Sequence, residues 1–263
     1  MGDARARRKA QNARAARLPP MTTRLAFEVP AQPTDTTCGP TCLHAVYRYH
    51  GDDIALEAVI EQTRELRDGG TLDAFLALHA LARGYRARIY LHNLAVFDPS
   101  WVSLSRAALI AKLEAQLPIK CAAHPKLAVA TQGYIEVLRA GGELRMADLT
   151  GALLRKYLTR GIPILTGLSS TWLYRTPRER PDNEFDDLHG EPGGHFVVLS
   201  GYDRSKREVW VADPWAGNPF DGEARVYPVK IERLIAAVLL GVVSYDCNLL
   251  VIEPSKTGGG GSA

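Results

Sequence analysis

The chain has 263 residues, 46% of them hydrophobic, which is enough to bury a core as one large domain or two small lobes. Its formal net charge of +3 is concentrated at one end: residues 1–20 carry a net +5, and the remaining 243 residues sum to −2. A basic surface for nucleic acid is therefore not expected on the folded part. No apolar run reaches the ~18 residues that a membrane span needs, and no secretory signal is recognisable.

The two ends of the sequence differ in composition from the rest. Residues 1–20 are predicted to be a disordered basic tail, and the Gly-rich residues 256–263 a linker or tag remnant. A single folded domain is predicted between them, at 21–255. The four cysteines show neither metal-ligand spacing nor disulfide density, so we expect no metal, no cofactor and a reducing cytoplasm. They are Cys38, Cys42, Cys121 and Cys247.

Apolar periodicity and turn signals place most helices early in the chain and most strands late. Helices are predicted at 38–50, 56–60, 72–83, 105–117, 125–140, from Asp148 or Thr150 to 160, and at 230–241. Strands are predicted at 24–29, 85–91, 162–168, 193–202, 208–213 and 247–252. Thr71 is expected to cap the third helix. This segregation favours an α+β fold with antiparallel pairing over an alternating α/β sheet.

A candidate nucleophile lies where a loop runs into the first helix. Pro40 suits the first turn of a helix, which places Cys38 at the N-terminus. Unpaired N–H groups and the positive end of the helix dipole favour the thiolate there, and the thiolate is the form that attacks carbonyls. Asp35 is expected to cap or stabilise this turn. Gln32, six residues upstream, is a candidate donor to an oxyanion, together with the backbone N–H of Cys38.

A candidate base and its orienting group lie far downstream. His195 opens one predicted strand, Asp213 ends the next, and residues 203–207 between them have the composition of a hairpin turn. The ends of an antiparallel hairpin are neighbours, so the imidazole and the carboxylate should meet. In this arrangement Cys38 attacks, His195 transfers the proton and Asp213 fixes the tautomer of the ring.

Three short motifs together resemble the papain-like clan of cysteine peptidases: Gln-x5-Cys-Gly-Pro at 32–40, Gly-His-Phe-Val-Val at 194–198, and Asp-Pro at 213–214. The pattern is most similar to the bacterial peptidases that process double-glycine bacteriocin leaders, in a stand-alone form. Members fused to transporters carry Asp-Cys at the nucleophile, where this chain has Thr37-Cys38. The resemblance covers residues 32–51 and 193–215. It implies cysteine-dependent amide chemistry and a two-lobed fold, with a helical lobe packed on an antiparallel sheet.

The segment before His195 is expected to form the substrate site. Residues 175–192 are charged, contain proline and show no periodicity, which is typical of a lid or binding loop. Trp172 and Tyr174 at the base of this loop, with Gly194, are predicted to line the site. The loop contains both arginines and acidic residues, so the charge of the substrate does not follow from the sequence.

The predicted function is hydrolysis of a peptide or isopeptide bond through a thioester on Cys38. Taken singly, a cysteine is more often a small buried hydrophobe and a histidine more often a structural residue, so the prediction depends on their joint occurrence. Two alternatives share the same residues: acyl transfer to an amine, and a peptide-binding module without turnover. The expected partner is a peptide or protein, with no nucleic acid for the folded domain and no membrane. The oligomeric state has no signal in the sequence.

Overall fold

The computed structural model describes residues 21–67, 69–120, 124–220, 225–244 and 247–255. The predicted basic tail, the predicted linker remnant and Cys121 lie outside these ranges.

Eight α-helices and eight β-strands are found in the described ranges. The helices are α1 (Cys38–Tyr49), α2 (Leu56–Gln62), α3 (Asp73–Ala82), α4 (Arg106–Lys120), α5 (Pro125–Arg139), α6 (Gly151–Leu158), α7 (Ser170–Tyr174) and α8 (Ile231–Leu240). The strands are β1 (Thr22–Arg24), β2 (Tyr85–Leu91), β3 (Glu143–Met146), β4 (Ile164–Ser169), β5 (Gly194–Asp203), β6 (Glu208–Ala212), β7 (Val226–Lys230) and β8 (Leu249–Pro254). Within the described part of the chain, every helix is too short or too polar to cross a membrane.

All eight strands belong to one sheet, in the order β3-β2-β8-β4-β5-β6-β7, with β1 paired to β5 outside this path. Every pairing is antiparallel except that of β2 with β3. The last strand, β8, inserts between β2 and β4, so the two halves of the chain share one hydrogen-bonded sheet. The predicted α+β fold with a mostly antiparallel sheet is confirmed.

Helices cover both faces of this sheet. Helices α1, α3, α4 and α5 share one hydrophobic cluster with Phe196 and Val198 of β5. Helices α6, α7 and α8 share a second cluster with Val197 and Leu199, which point to the opposite face of the same strand. A strand buried on both faces reads as a continuous apolar run, and β5 has that character. Strand β5, which carries His195, is therefore packed from both sides.

Two local predictions were wrong. The strand expected at 24–29 ends at Arg24, because the chain then leaves β5 and runs to the end of β6, where Gln32 N donates to Pro214 O at 2.9 Å. Thr71 does not cap α3. Its hydroxyl donates instead to Arg64 O at 2.8 Å, and Leu72 occupies the cap position.

Candidate active site

Cys38 is the first residue of α1, and the packing of α1 against β5 determines its position. Helix α1 lies close to the sheet because Gly39 has no side chain: a Cβ there would lie 2.6 Å from Thr71 Cγ2 and 3.2 Å from Phe196 Cδ2. One turn later the buried Cys42 thiol donates to Phe196 O at 3.2 Å. These contacts hold the N-terminus of α1 against the first residues of β5. Cys38 itself is 8% exposed.

His195 and Asp213 lie at adjacent ends of β5 and β6. The antiparallel register pairs Val198 with Ala212, which brings the start of one strand beside the end of the other. His195 Nε2 lies 2.8 Å from Asp213 Oδ1, and Asp213 is fully buried. Because Nε2 faces the carboxylate, Nδ1 is the ring nitrogen left for the thiol.

The surroundings of His195 favour its protonated form. Burial alone would lower the pKa of this histidine. The charge of Asp213 and the hydrogen bond to it outweigh that effect, a hydrogen bond with the Cys38 side chain adds to them, and the pKa rises to about 10. Burial would raise the pKa of Asp213, but His195 and donated hydrogen bonds hold it below its usual range. The pair is thus an ionised carboxylate beside an imidazolium.

Asp213 accepts hydrogen bonds from three further donors. The Trp215 backbone N–H donates to Oδ1 at 2.9 Å. The Tyr174 hydroxyl donates to Oδ2 at 2.7 Å, and the Tyr227 hydroxyl donates to the same oxygen. A buried carboxylate is stable only when its oxygens are satisfied in this way. The sequence did not point to Tyr227 because strand β7 was not predicted, although the β-branched and aromatic residues at 226–229 are a strand signal.

The two aromatic residues predicted to line the substrate site point in different directions. Tyr174 is buried, and its ring lines the cavity beside His195 while its hydroxyl contacts Asp213. Trp172 does not line that cavity. It is 37% exposed, carries the Arg175 guanidinium 4.4 Å from its ring centre, and lines a separate cavity of about 490 Å³. Both residues lie in the short helix α7 and not in a loop.

Gln32 lies on the wall of the cavity that contains His195. Its Nε2 donates to Thr34 O at 2.9 Å, which leaves one N–H of the amide, while its buried Oε1 has no partner among the described residues. Asp35 makes no cap for α1. Its carboxylate accepts instead from Asn183 Nδ2 at 2.9 Å, which ties the 175–192 loop to the turn before Cys38.

The cavity beside His195 has a volume of about 270 Å³. Gly194 is one of its lining residues. The 175–192 loop forms one wall. It folds back on itself through bridges of Glu179 with Phe185 and with Glu191. The cavity therefore lies between this loop and the first residues of β5, with His195 in its wall.

A known family matches most of this chain. Residues 24–231 match the model of the Peptidase_C39 like family. The chain belongs to this family. It is accordingly a cysteine peptidase, and the resemblance drawn from the three motifs is confirmed. No curated protein matches the sequence.

Solved structures similar to this one include three that cover 87% to 91% of the chain. A double-glycine motif protease from an AMS/PCAT transporter, in complex with the leader peptide, has 15% identity and a TM-score of 0.44 over 89% of this chain and 95% of the other. The peptidase domain of Streptococcus ComA has 13% identity and a TM-score of 0.43, over 87% of this chain and 99% of the other. Xylellain, a cysteine protease from Xylella fastidiosa, has 16% identity and a TM-score of 0.44, over 91% of this chain and 88% of the other.

The close approach of Thr71 to Gly39 leads to a first prediction, on stability. Gly39→Ala should destabilise the protein by ~1–3 kcal/mol, the usual range for overpacking a core. Thermal unfolding would measure it. Thr71→Ser removes the obstructing methyl group and keeps the hydroxyl that donates to Arg64 O, so the double variant should recover most of the loss. Equal destabilisation with and without that methyl group would contradict the explanation.

The hydrogen bonds from Tyr174 and Tyr227 to Asp213 lead to a second prediction, on turnover. Tyr227→Phe should lower kcat by ~3- to 10-fold with little change in KM, because one charge-assisted hydrogen bond to the carboxylate is lost while Tyr174 retains the other. Steady-state kinetics would measure it. Tyr202→Phe is the matched control, since it removes a buried hydroxyl that contacts Arg155 and not Asp213. Equal losses in both variants would indicate a general effect of removing a hydroxyl.

Proposed function

We propose that this protein hydrolyses a peptide bond through a thioester on Cys38, with His195 and Asp213 completing a catalytic triad. The observation that carries the proposal is the pairing of His195 with the buried Asp213 at 2.8 Å, beside a thiol at a helix N-terminus. An imidazolium stabilised by a carboxylate in turn stabilises the thiolate. The substrate we propose is a peptide or protein segment that can enter the cavity beneath the 175–192 loop.

The proposed steps assign one role to each group. The Cys38 thiolate attacks the scissile carbonyl, and the developing oxyanion is met by the Cys38 backbone N–H and the remaining amide N–H of Gln32. His195 gives its proton to the leaving amine, which departs and leaves a thioester. His195 then takes a proton from water as the water attacks, and the Cys38 sulfur is the second leaving group. Asp213 stays ionised and holds the ring.

Alkylation with iodoacetamide followed by peptide mapping tests the nucleophile. Cys38 should react fast near neutral pH. Cys42 supplies an internal control, because burial, with added repulsion from Cys38 and Asp213, raises the pKa of its thiol well above the usual range. Equal labelling of Cys42 and Cys38, or slow labelling of Cys38, would contradict the proposal. Among the described residues Cys38, Cys42 and Cys247 form no disulfide, which suits the cytoplasm, where we place the enzyme.

The thioester can also be aminolysed, and this outcome separates the two enzymatic alternatives. Cleavage reactions with an added amine should yield mainly the free acid if the enzyme is a peptidase. An amide product in excess of the acid would identify an acyltransferase instead. Rapid alkylation of Cys38 without turnover of any peptide would favour a binding module.

A further inference from the structure

The cavity beside His195 is acidic. Two carboxylates line it, those of Asp35 and Glu179. Among the described lining residues His195 is the only group that can carry a positive charge, and that charge is already matched by Asp213 at 2.8 Å. The walls therefore hold an excess of negative charge directly beside the catalytic histidine.

The arginines of the 175–192 loop do not neutralise this cavity. Arg175 stacks on Trp172, Arg178 donates to the carbonyl oxygens of residues 187 and 188, and Arg180 lies 3.5 Å from Asp182. None of the three lines the cavity. The loop contains charges of both signs in sequence, but in the structure its carboxylate at Glu179 lines the cavity and its three arginines do not.

Glu179 is held over the first residues of β5. Its backbone pairs with Glu191 in both directions, at 3.0 and 2.7 Å, which fixes where its side chain begins. Its Oε2 would lie 3.4 Å from a Cβ placed on Gly193, immediately before Gly194 and His195. Within the described part of the chain, no donor or cation pairs with this half-buried carboxylate.

The other walls suit a ligand that has N–H donors on an apolar stem. The buried Oε1 of Gln32 is an acceptor without a partner among the described residues, and Asp35 gives only one of its oxygens to Asn183. The rings of Tyr174, Phe185 and Trp215 line the same cavity. Aromatic faces attract cations, and long cationic side chains pack their methylene groups against apolar surface.

We propose that this cavity binds a lysine or arginine side chain of the substrate, at a fixed position close to the scissile bond, with Glu179 as its main partner. This inference rests on the proposed peptidase function and names the substrate class of the same site. Both charged side chains match the acceptors and aromatic rings described above.

The test uses the complete chain and a peptide library of known composition, with cleavage products identified by mass spectrometry. Lysine and arginine should be enriched at one position near the cleaved bond. In a pair of synthetic peptides that differ only by Lys or Gln there, kcat/KM should favour Lys by ~2- to 5-fold, the scale of a partly exposed charge pair. Glu179→Gln should reduce this ratio toward one. Glu179→Lys should reverse the charge preference, so that a peptide with Glu at that position is cleaved with a higher kcat/KM than the peptide with Lys. Glu184→Gln, a loop carboxylate outside the cavity walls, is the matched control and should leave the ratio unchanged.

The outcomes separate this inference from the proposed function. Cleavage of the library without basic enrichment, or a ratio unaffected by Glu179→Gln, would overturn the inference and leave the peptidase intact. A ratio that falls equally in Glu184→Gln would overturn the role of Glu179. No cleavage of any peptide, with Cys38 still alkylated, would overturn the proposed function and the inference with it.

Discussion

His195→Ala should lower kcat by about 10³-fold or more, the range expected for removal of a general acid–base group. Cys38→Ala should remove turnover altogether, since no thioester can form. Each variant removes a group that the proposed mechanism uses in every step. Cleavage of a peptide selected from the library would measure both.

The His195→Ala variant has a second readout in the alkylation rate of Cys38. Without the imidazolium beside it, the thiol loses a neighbouring positive charge, so iodoacetamide should react more slowly near neutral pH. His189→Ala is the control, because this exposed histidine lies in the 175–192 loop and contacts Asp186. A His195→Ala variant within about tenfold of the wild-type kcat would mean that another residue acts as the base.

Asp213→Asn should reduce kcat by roughly 10²-fold, less than His195→Ala, because the base survives and only its charge partner is lost. The amide oxygen can still accept from His195 Nε2 and the Trp215 N–H, and the amide nitrogen can donate to the tyrosine oxygens. Orientation is thus partly retained. The negative charge that stabilises the imidazolium is not.

The same variant should change the pH dependence. In the folded protein the pKa of His195 is about 10, above its ordinary value of 6.5. A raised pKa means that this group stabilises the fold fully below about pH 6.5 and loses that contribution as pH rises through about 10. Asp213→Asn removes the largest effect that raises this pKa and leaves burial, which lowers it. The alkaline limit of kcat/KM and the alkaline decline of Tm should both move to lower pH.

Paired profiles of kcat/KM and Tm between neutral pH and about pH 10.5 would measure these shifts, with wild type and Asp213→Asn side by side. An alkaline limb at the same pH in both proteins would show that Asp213 does not control the titration of His195. Asp213→Asn with wild-type kcat would show that another group orients the ring.

Much of the site follows from the sequence because each motif is local. A cysteine at a helix start, a histidine at the start of an apolar strand and an aspartate at the end of the next strand can be recognised from neighbouring residues. The hairpin between His195 and Asp213 then fixes which strand ends meet, since antiparallel geometry leaves one arrangement. Packing of α1 on the sheet adds Cys38 to them.

The tertiary structure alone decided what surrounds these residues. Periodicity identifies a buried side chain but not which distant segment it will touch, so Tyr227 could join Asp213 only once β7 had paired with β6. Tyr174 and Trp172 lie two residues apart and separate because α7 turns one inward and leaves the other exposed. The acidic cavity likewise arises from folding. The charges of the 175–192 loop are mixed in sequence, and the backbone bridges at Glu179 place its carboxylate in the cavity wall, whereas the arginines of the loop are not among the lining residues.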